Sequence, residues 1–153
     1  MVRLKPATPL EGHLGFWLRL VSNEVSRSFE QALAAKGVAV AEWVLLRALY
    51  GAAPEAPSRL AQMMGMTKGG VTKLADKLIA KRLLVRRPDP ADARAQTLAL
   101  TPAGELIVPE LAALADRNDM AFFSSLSAAE RKALVSALRK IAARLGATPF
   151  PID

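Results

Sequence analysis

The stretch PSRLAQMMGMTKGGVTKLADKLIAKRLLVRRPDPADAR, from Pro57 to Arg94, decides the fold. Its first part reads as a short helix, a tight turn at Gly65 and a second, longer helix. Leu60, Met63 and Met64 suit one face of the first helix. Thr67 suits the N-cap of the second, where a hydroxyl accepts a bond from one of the backbone N–H groups that a helix start leaves unpaired. Val71, Leu74, Ala75 and Leu78 follow at helical spacing and turn toward the first helix. Lys68, Gly69, Gly70, Thr72, Lys73, Asp76, Lys77 and Lys81 then share the other face. Two helices joined by a short glycine-containing turn, the second polar and basic, make the helix-turn-helix pattern, in which the second helix enters the DNA major groove.

A wing follows. Leu83 to Arg87 and Gln96 to Leu100 read as two short strands, with turn residues from Pro88 to Ala93 between them. Arg94 sits just past the bend, where it can reach a phosphate backbone or a minor groove whose negative potential attracts arginine. Charge agrees with this. Residues 57–94 hold nine basic and three acidic side chains, a local net charge of +6 out of +7 for the chain, which leaves the other 115 residues at +1. Such a concentration is an electrostatic footprint.

On these residues the chain resembles the MarR family of winged helix-turn-helix transcription regulators. PDPADAR (Pro88 to Arg94) is similar to that family's Asp-Pro-x-Asp-x-Arg wing motif, through Asp89, Pro90, Asp92 and Arg94. VTKLADKLIAK resembles its recognition helix, and TLALTPAG (Thr97 to Gly104) the segment after the wing. The resemblance runs from about Pro9 to Leu145. Two positions depart from it. Arg82 stands where the family has the glycine that ends the recognition helix, and a non-glycine residue in a left-handed C-cap costs about 1–2 kcal/mol. Lys73 stands where most members have arginine, and a lysine lacks the bidentate fork that reads guanine.

Outside the central stretch, a helix is expected from about Leu10 to Lys36, with Leu14, Trp17, Leu18, Val21, Val25, Phe29 and Leu33 at helical spacing and Gly37 as its stop. A second spans about Ala41 to Tyr50. Thr101-Pro102 opens a third, which reaches about Phe123 and is expected to bend at Pro109. Ser127 and Glu130 form a capping box for the last helix. Leu134, Leu138, Ile141 and Leu145 make its stripe, and Gly146 and Pro149 stop it. Residues 1–9 read as an arm. The expected fold is therefore mainly α: a winged helix-turn-helix lobe over 41–100 with a two-stranded β wing, within a single domain over 1–153. Long N- and C-terminal helices, 10–36 plus 102–146, form a helical dimerisation region. A compact winged lobe covers its own core with about 60–70 residues, so the terminal helices have apolar faces to spare. A two-fold dimer buries them and sets two recognition helices ~34 Å apart, one DNA turn. The family resemblance implies the same dimer; closure of these helices on their own lobe is the alternative.

The candidate DNA-binding residues are Thr67, Lys68, Gly69, Gly70, Thr72, Lys73, Lys77 and Arg94, with Asp92 and Arg86 supporting the wing. Gly69 and Gly70 each cost a helix about 1 kcal/mol against alanine. Close approach of backbone to DNA explains them, as does a frayed helix start. Lys77 and Lys81, further along, suit phosphate contacts or plain surface. Arg94 suits minor-groove insertion; an Asp92–Arg94 surface pair is the bland alternative. Relatives in the family bind small aromatic or phenolic effectors between the terminal helices and the lobe. His13, Trp17, Trp43 and Tyr50 are the candidates here, although the aromatics also suit core packing and His13 a helix start.

Composition excludes other classes. With no cysteine, the chain has no disulfide, thiolate metal site or cysteine redox sensor. A lone histidine, His13, makes a poor metal site and cannot complete a catalytic set. Gly69-Gly70 lacks the spacing of a phosphate-binding loop. No cofactor is expected, and no stretch is apolar enough to span a membrane. MVRLKPATPLEGH lacks the apolar segment of a secretory signal, so the expected location is the cytoplasm. Duplex DNA is the expected partner and a palindromic operator the expected target. The alternatives are a sequence-indifferent architectural DNA binder, or a sensor or interaction module with no DNA role.

Overall fold

Six helices and one β-hairpin build the chain in a computed structural model that describes residues 6–146. The order is α1 (Leu14–Ala34), α2 (Val40–Leu49), α3 (Pro57–Met64), α4 (Lys68–Ala80), β1 (Leu84–Pro88), β2 (Gln96–Leu100), α5 (Pro102–Phe123) and α6 (Ala128–Ala143). The expected arm lies partly, and Pro149 wholly, outside the described residues. The architecture is the mainly α winged helix-turn-helix expected from the sequence.

The N-terminal helix starts later than its apolar spacing suggests. Leu10–Gly12 is a 3-10 turn, and His13 is extended (φ −101°, ψ 129°), so α1 begins at Leu14. The indole of Trp17 donates to the Glu11 carbonyl at 2.8 Å, and His13 Nδ1 lies 3.1 Å from the Pro9 carbonyl. These bonds hold the turn against the start of α1.

One core joins all elements except α6. Leu33 of α1, Leu45 and Leu46 of α2, Leu60 and Met64 of α3, Val71 and Leu78 of α4, Leu98 of β2 and Val108 and Leu111 of α5 are all fully buried. In α3 the inward side chains are Leu60, Ala61 and Met64, while Met63 is exposed. The expected Leu60–Met63–Met64 face is thus corrected. Leu60 and Met64, four apart, set the buried line, and Met63 lies about 100° off Met64. Helix α5 runs unbroken through Pro109, so the expected bend does not interrupt the element.

The hairpin pairs Leu84 with Leu100 and Pro88 with Gln96, antiparallel. A third piece of chain joins it: Glu55 and Leu98 exchange backbone bonds of 3.0 and 2.8 Å. The loop between α2 and α3 therefore pins the wing's inner strand. Behind the hairpin, α5 starts in close contact with the end of α4. Thr101 donates its backbone N–H to the Leu83 carbonyl (3.0 Å) and its hydroxyl to the Arg82 carbonyl (2.7 Å). A Cβ on Gly104 would meet the Leu83 oxygen at 2.2 Å, so only glycine fits there.

Candidate nucleic-acid interface and neighbouring cleft

Gly65 takes the left-handed conformation (φ 63°) that turns α3 into α4 within three residues. Thr67 then caps α4, its hydroxyl accepting from Gly70 N at 3.0 Å. Because Val71, Ala75 and Leu78 point into the core, Lys68, Gly69, Lys73 and Lys77 are left exposed on the opposite face. Gly70 and Thr72 are half-buried, and the Thr72 hydroxyl donates to the Lys68 carbonyl at 3.0 Å. A Cβ at Gly69 would meet nothing within 4 Å, whereas one at Gly70 would press on Met66 and Thr67. The chain itself therefore has no need of glycine at 69.

Three cations of residues 57–94 are paired, Arg59 with Glu55 at 3.3 Å among them. Lys81, grouped with the outward face above, instead reaches back across the lobe. Its ammonium donates to Glu42 Oε2 at 2.7 Å and to the Gly37 carbonyl at 2.6 Å. Arg86 on β1 holds Asp76 on α4 at 2.5 Å, tying the wing to the recognition helix. Lys68, Lys73, Lys77 and Arg94 make no ion pair among the described residues.

At the wing tip the two aspartates act on backbone. Asp89 Oδ1 accepts from Ala91 N at 2.9 Å, and Asp92 Oδ1 accepts from Arg94 N at 3.0 Å. Such Asx turns shape a bend without help from the core. Asp92 thus meets Arg94 through its main chain, and the guanidinium stays exposed.

Helix α4 ends at Ala80 with Lys81 as its C-cap, and Arg82 follows with φ 61°, the only left-handed non-glycine residue among those described. Arg82 N bonds the Ile79 carbonyl and Leu83 N the Leu78 carbonyl, both at 2.9 Å, a Schellman ending. The helix therefore stops where a glycine would stop it, and Arg82 bears the strain.

Beside the lobe, α1, α2 and α5 enclose a cleft of ≈ 1050 Å³. Trp43 and Tyr50 line it, joined by Phe29, Val44, Met63, Arg47 and Asn118. Phe29 and Trp43 meet edge to face at 6.3 Å, and the Arg47 guanidinium lies 5.9 Å from the centre of the Tyr50 ring. Asn118 donates to the Val25 carbonyl at 3.0 Å. His13 and Trp17 lie outside this cleft, at the start of α1. Arg47 was legible from its spacing: it stands four residues after Trp43 and so shares its helix face. Asn118 gives no such sign, because its role depends on α1 and α5 meeting.

The near-neutral remainder of the chain hides a second basic element. Helix α6 has Arg131, Lys132, Arg139 and Lys140, with Arg144 at its end, against Glu130 alone. Acidic residues elsewhere cancel this in the sum, so the basic excess is not confined to residues 57–94.

A cation-faced second helix braced to an arginine-tipped hairpin defines a winged helix-turn-helix protein, a class whose recognition helix reads duplex DNA. Residues 36–95 match the family model described as MarR family. A proposed transcriptional regulator of the hcr operon of Thauera aromatica is 28% identical over 92% of this chain and 85% of its own. BpsR of Bordetella bronchiseptica shares the fold at a TM-score of 0.75 with 27% identity, over 90% of this chain and 98% of that one. A cysteine-to-serine variant of MarR from E. coli, solved with operator DNA, superposes at 0.73 with 25% identity, over 84% and 92%. In sequence and in fold the chain is similar to the MarR family of winged helix-turn-helix regulators. No helix of the described residues is long and apolar enough to cross a membrane.

Proposed function

We propose that this protein is a homodimeric repressor that binds a palindromic operator and leaves it when a small aromatic acid enters the cleft. The observation that carries the reading is the set of exposed cations on α4 and the wing that make no ion pair among the described residues, Lys68, Lys73, Lys77, Arg87 and Arg94. In this reading the start of α4 enters the major groove. Thr67, Lys68, Thr72 and Lys73 approach bases and phosphates, and Gly69 and Gly70 admit the backbone. Lys77 meets phosphate, and Arg94 enters the flanking minor groove, with Asp92 and Arg86 holding the wing in place.

The dimer is supported by what the chain leaves uncovered. Most of the exposed large apolar side chains lie on the N-terminal half of α1 (Leu14, Trp17, Leu18, Leu20, Val21), on α5 (Leu106, Met120), and on α6 (Leu134, Val135, Leu138, Ile141) with Leu145. Helix α6 buries no residue within its own chain. Uncovered apolar surface of this extent marks an interaction site. A second copy covers it and brings two α4 helices to one duplex, so 10–36 with 102–146 acts as the dimerisation region and 41–100 as the reading lobe.

Arg47 supports an acid as the ligand. Among the described residues it is the one cation in a cleft lined by Phe29, Trp43, Tyr50 and Met63 and also by the acids Glu30 and Asp119; beside the Tyr50 ring, its guanidinium suits an aromatic ring carrying a carboxylate. DNA binding by BpsR is regulated by 6-hydroxynicotinic acid, a molecule of this kind. A ligand that binds the DNA-incompetent spacing of the lobes more tightly shifts the population toward it.

The test is fluorescence anisotropy on a duplex from the protein's own upstream region, beside a random duplex. A regulator holds its own site by ~10³ or more over random sequence at physiological salt. A panel of aromatic carboxylates then releases it, and Arg47→Ala abolishes the release. Equal affinity for both duplexes identifies an architectural binder. No binding at low salt rules out a DNA role for the free protein.

A further inference from the structure

We infer that Glu42 and Lys81 form the strut that couples the cleft wall to the recognition helix, a role that rests on the reading just given. Glu42 lies in the first turn of α2 and is 5% exposed. Its carboxylate is divided between two tasks. Oε1 accepts from Ala39 N at 3.2 Å and so caps α2, while Oε2 takes the Lys81 ammonium at 2.7 Å. Lys81 is the C-cap of α4, and it also donates to the Gly37 carbonyl in the turn between α1 and α2. One ammonium therefore binds the end of the recognition helix to both the start of α2 and the turn before it.

The other side of that same α2 turn is the cleft. Ala39, Val40 and Trp43 line it, immediately around Glu42 in sequence. A shift of the α2 start, as a molecule wedged against Trp43 would cause, must either carry Lys81 along or break a charge-assisted pair with a buried carboxylate. Breaking it leaves that carboxylate with only the Ala39 N–H, which is strongly unfavourable, so the end of α4 follows. Apolar packing between α2 and α4 is non-directional, whereas the bonds at 2.6 and 2.7 Å fix direction. Glu42 and Lys81 are thus positioning residues. Neither lies in the cleft lining nor among the unpaired cations of the DNA face.

Coupling is reciprocal, so it can be read from the DNA side with no ligand in hand. The experiment is hydrogen exchange by mass spectrometry on the full chain, with and without saturating duplex from its upstream region. In the parent, DNA slows exchange in α4 and also at the first turn of α2, where Trp43 N bonds the Ala39 carbonyl at 2.9 Å. In Glu42→Gln/Lys81→Met, which removes both charges and keeps an acceptor for Ala39, the α4 protection remains and the α2 response is lost. Lys81→Arg, which preserves the charged donor, retains it. An α2 response that persists in the double variant overturns the inference. So does a parent whose α4 is protected while α2 is unmoved, an outcome that needs no variant to fold. A parent with no α4 protection fails earlier, at the DNA-binding reading itself.

Discussion

Helices α4 and α6 are built from similar material and end in opposite situations. Each starts at a hydroxyl cap, Thr67 or Ser127, and each carries an apolar stripe flanked by lysine or arginine. Yet α4 buries Val71, Ala75 and Leu78 completely in its own lobe, while α6 buries nothing. The difference teaches what each helix offers. Once the apolar side of α4 is satisfied, its cationic side is free to serve a polyanion. With its apolar side unsatisfied, α6 offers that side first, and its cations stand at the margin of the exposed stripe.

The contrast breaks most visibly under large-to-small substitution. Leu78→Ala should cost about 2–5 kcal/mol in denaturant melts, because it opens a cavity in a closed core, and the cost should not vary with protein concentration. Leu138→Ala on α6 should instead act through association, lowering the melting temperature most where the parent is dimeric and least on dilution. Equal, concentration-independent losses in both would remove the distinction.

Charge removal sharpens it next. Arg94→Ala should weaken operator binding by about 1–3 kcal/mol, as expected for a groove contact, with an unchanged melt. Arg139→Ala on α6 should leave affinity for the same duplex where it was. If the α6 substitution proves the more damaging in salt titrations, the DNA face has been placed on the wrong helix.

Gly69→Ala separates folding from reading within α4. The added Cβ meets open space, so stability should rise by up to about 1 kcal/mol while operator affinity falls. A variant that gains stability and binds as before shows that no backbone approaches DNA there. The smallest effect belongs to Arg82→Gly. Relief of a left-handed arginine, about 1–2 kcal/mol, is partly offset by the entropy of glycine, about 0.5–1 kcal/mol. A thermal melt should rise slightly; a fall would mean that the Arg82 side chain itself supports the lobe.

What could be read from sequence was what is local. The turn at Gly65, the caps at Thr67, Thr101 and Ser127 and the hairpin bounded by Pro88 and Gln96 are each specified by residues within a few positions, and each stands in the structure. What escaped was set at a distance. Lys81 looks like one more cation of α4 until Glu42, 39 positions earlier, is seen beside it. Glu55 looks like loop until it meets Leu98. The start of α1 was misplaced because residues 10–13 contain no Pro, Asn or Asp to break the apolar rhythm; an extended His13 does so instead. For the cleft, aromatic type alone suggested Trp43 and Tyr50 together with His13 and Trp17, and only the packing of α1, α2 and α5 separates the two pairs.

Sedimentation velocity of the protein with duplex from its own upstream region is the most direct test of a lobe that reads DNA held by helices that need a second copy. A complex of two chains per duplex, replaced by free DNA and folded single chains when Leu138 and Ile141 are both changed to aspartate, is the expected result. One chain bound per duplex with undiminished affinity, before or after those changes, would contradict it.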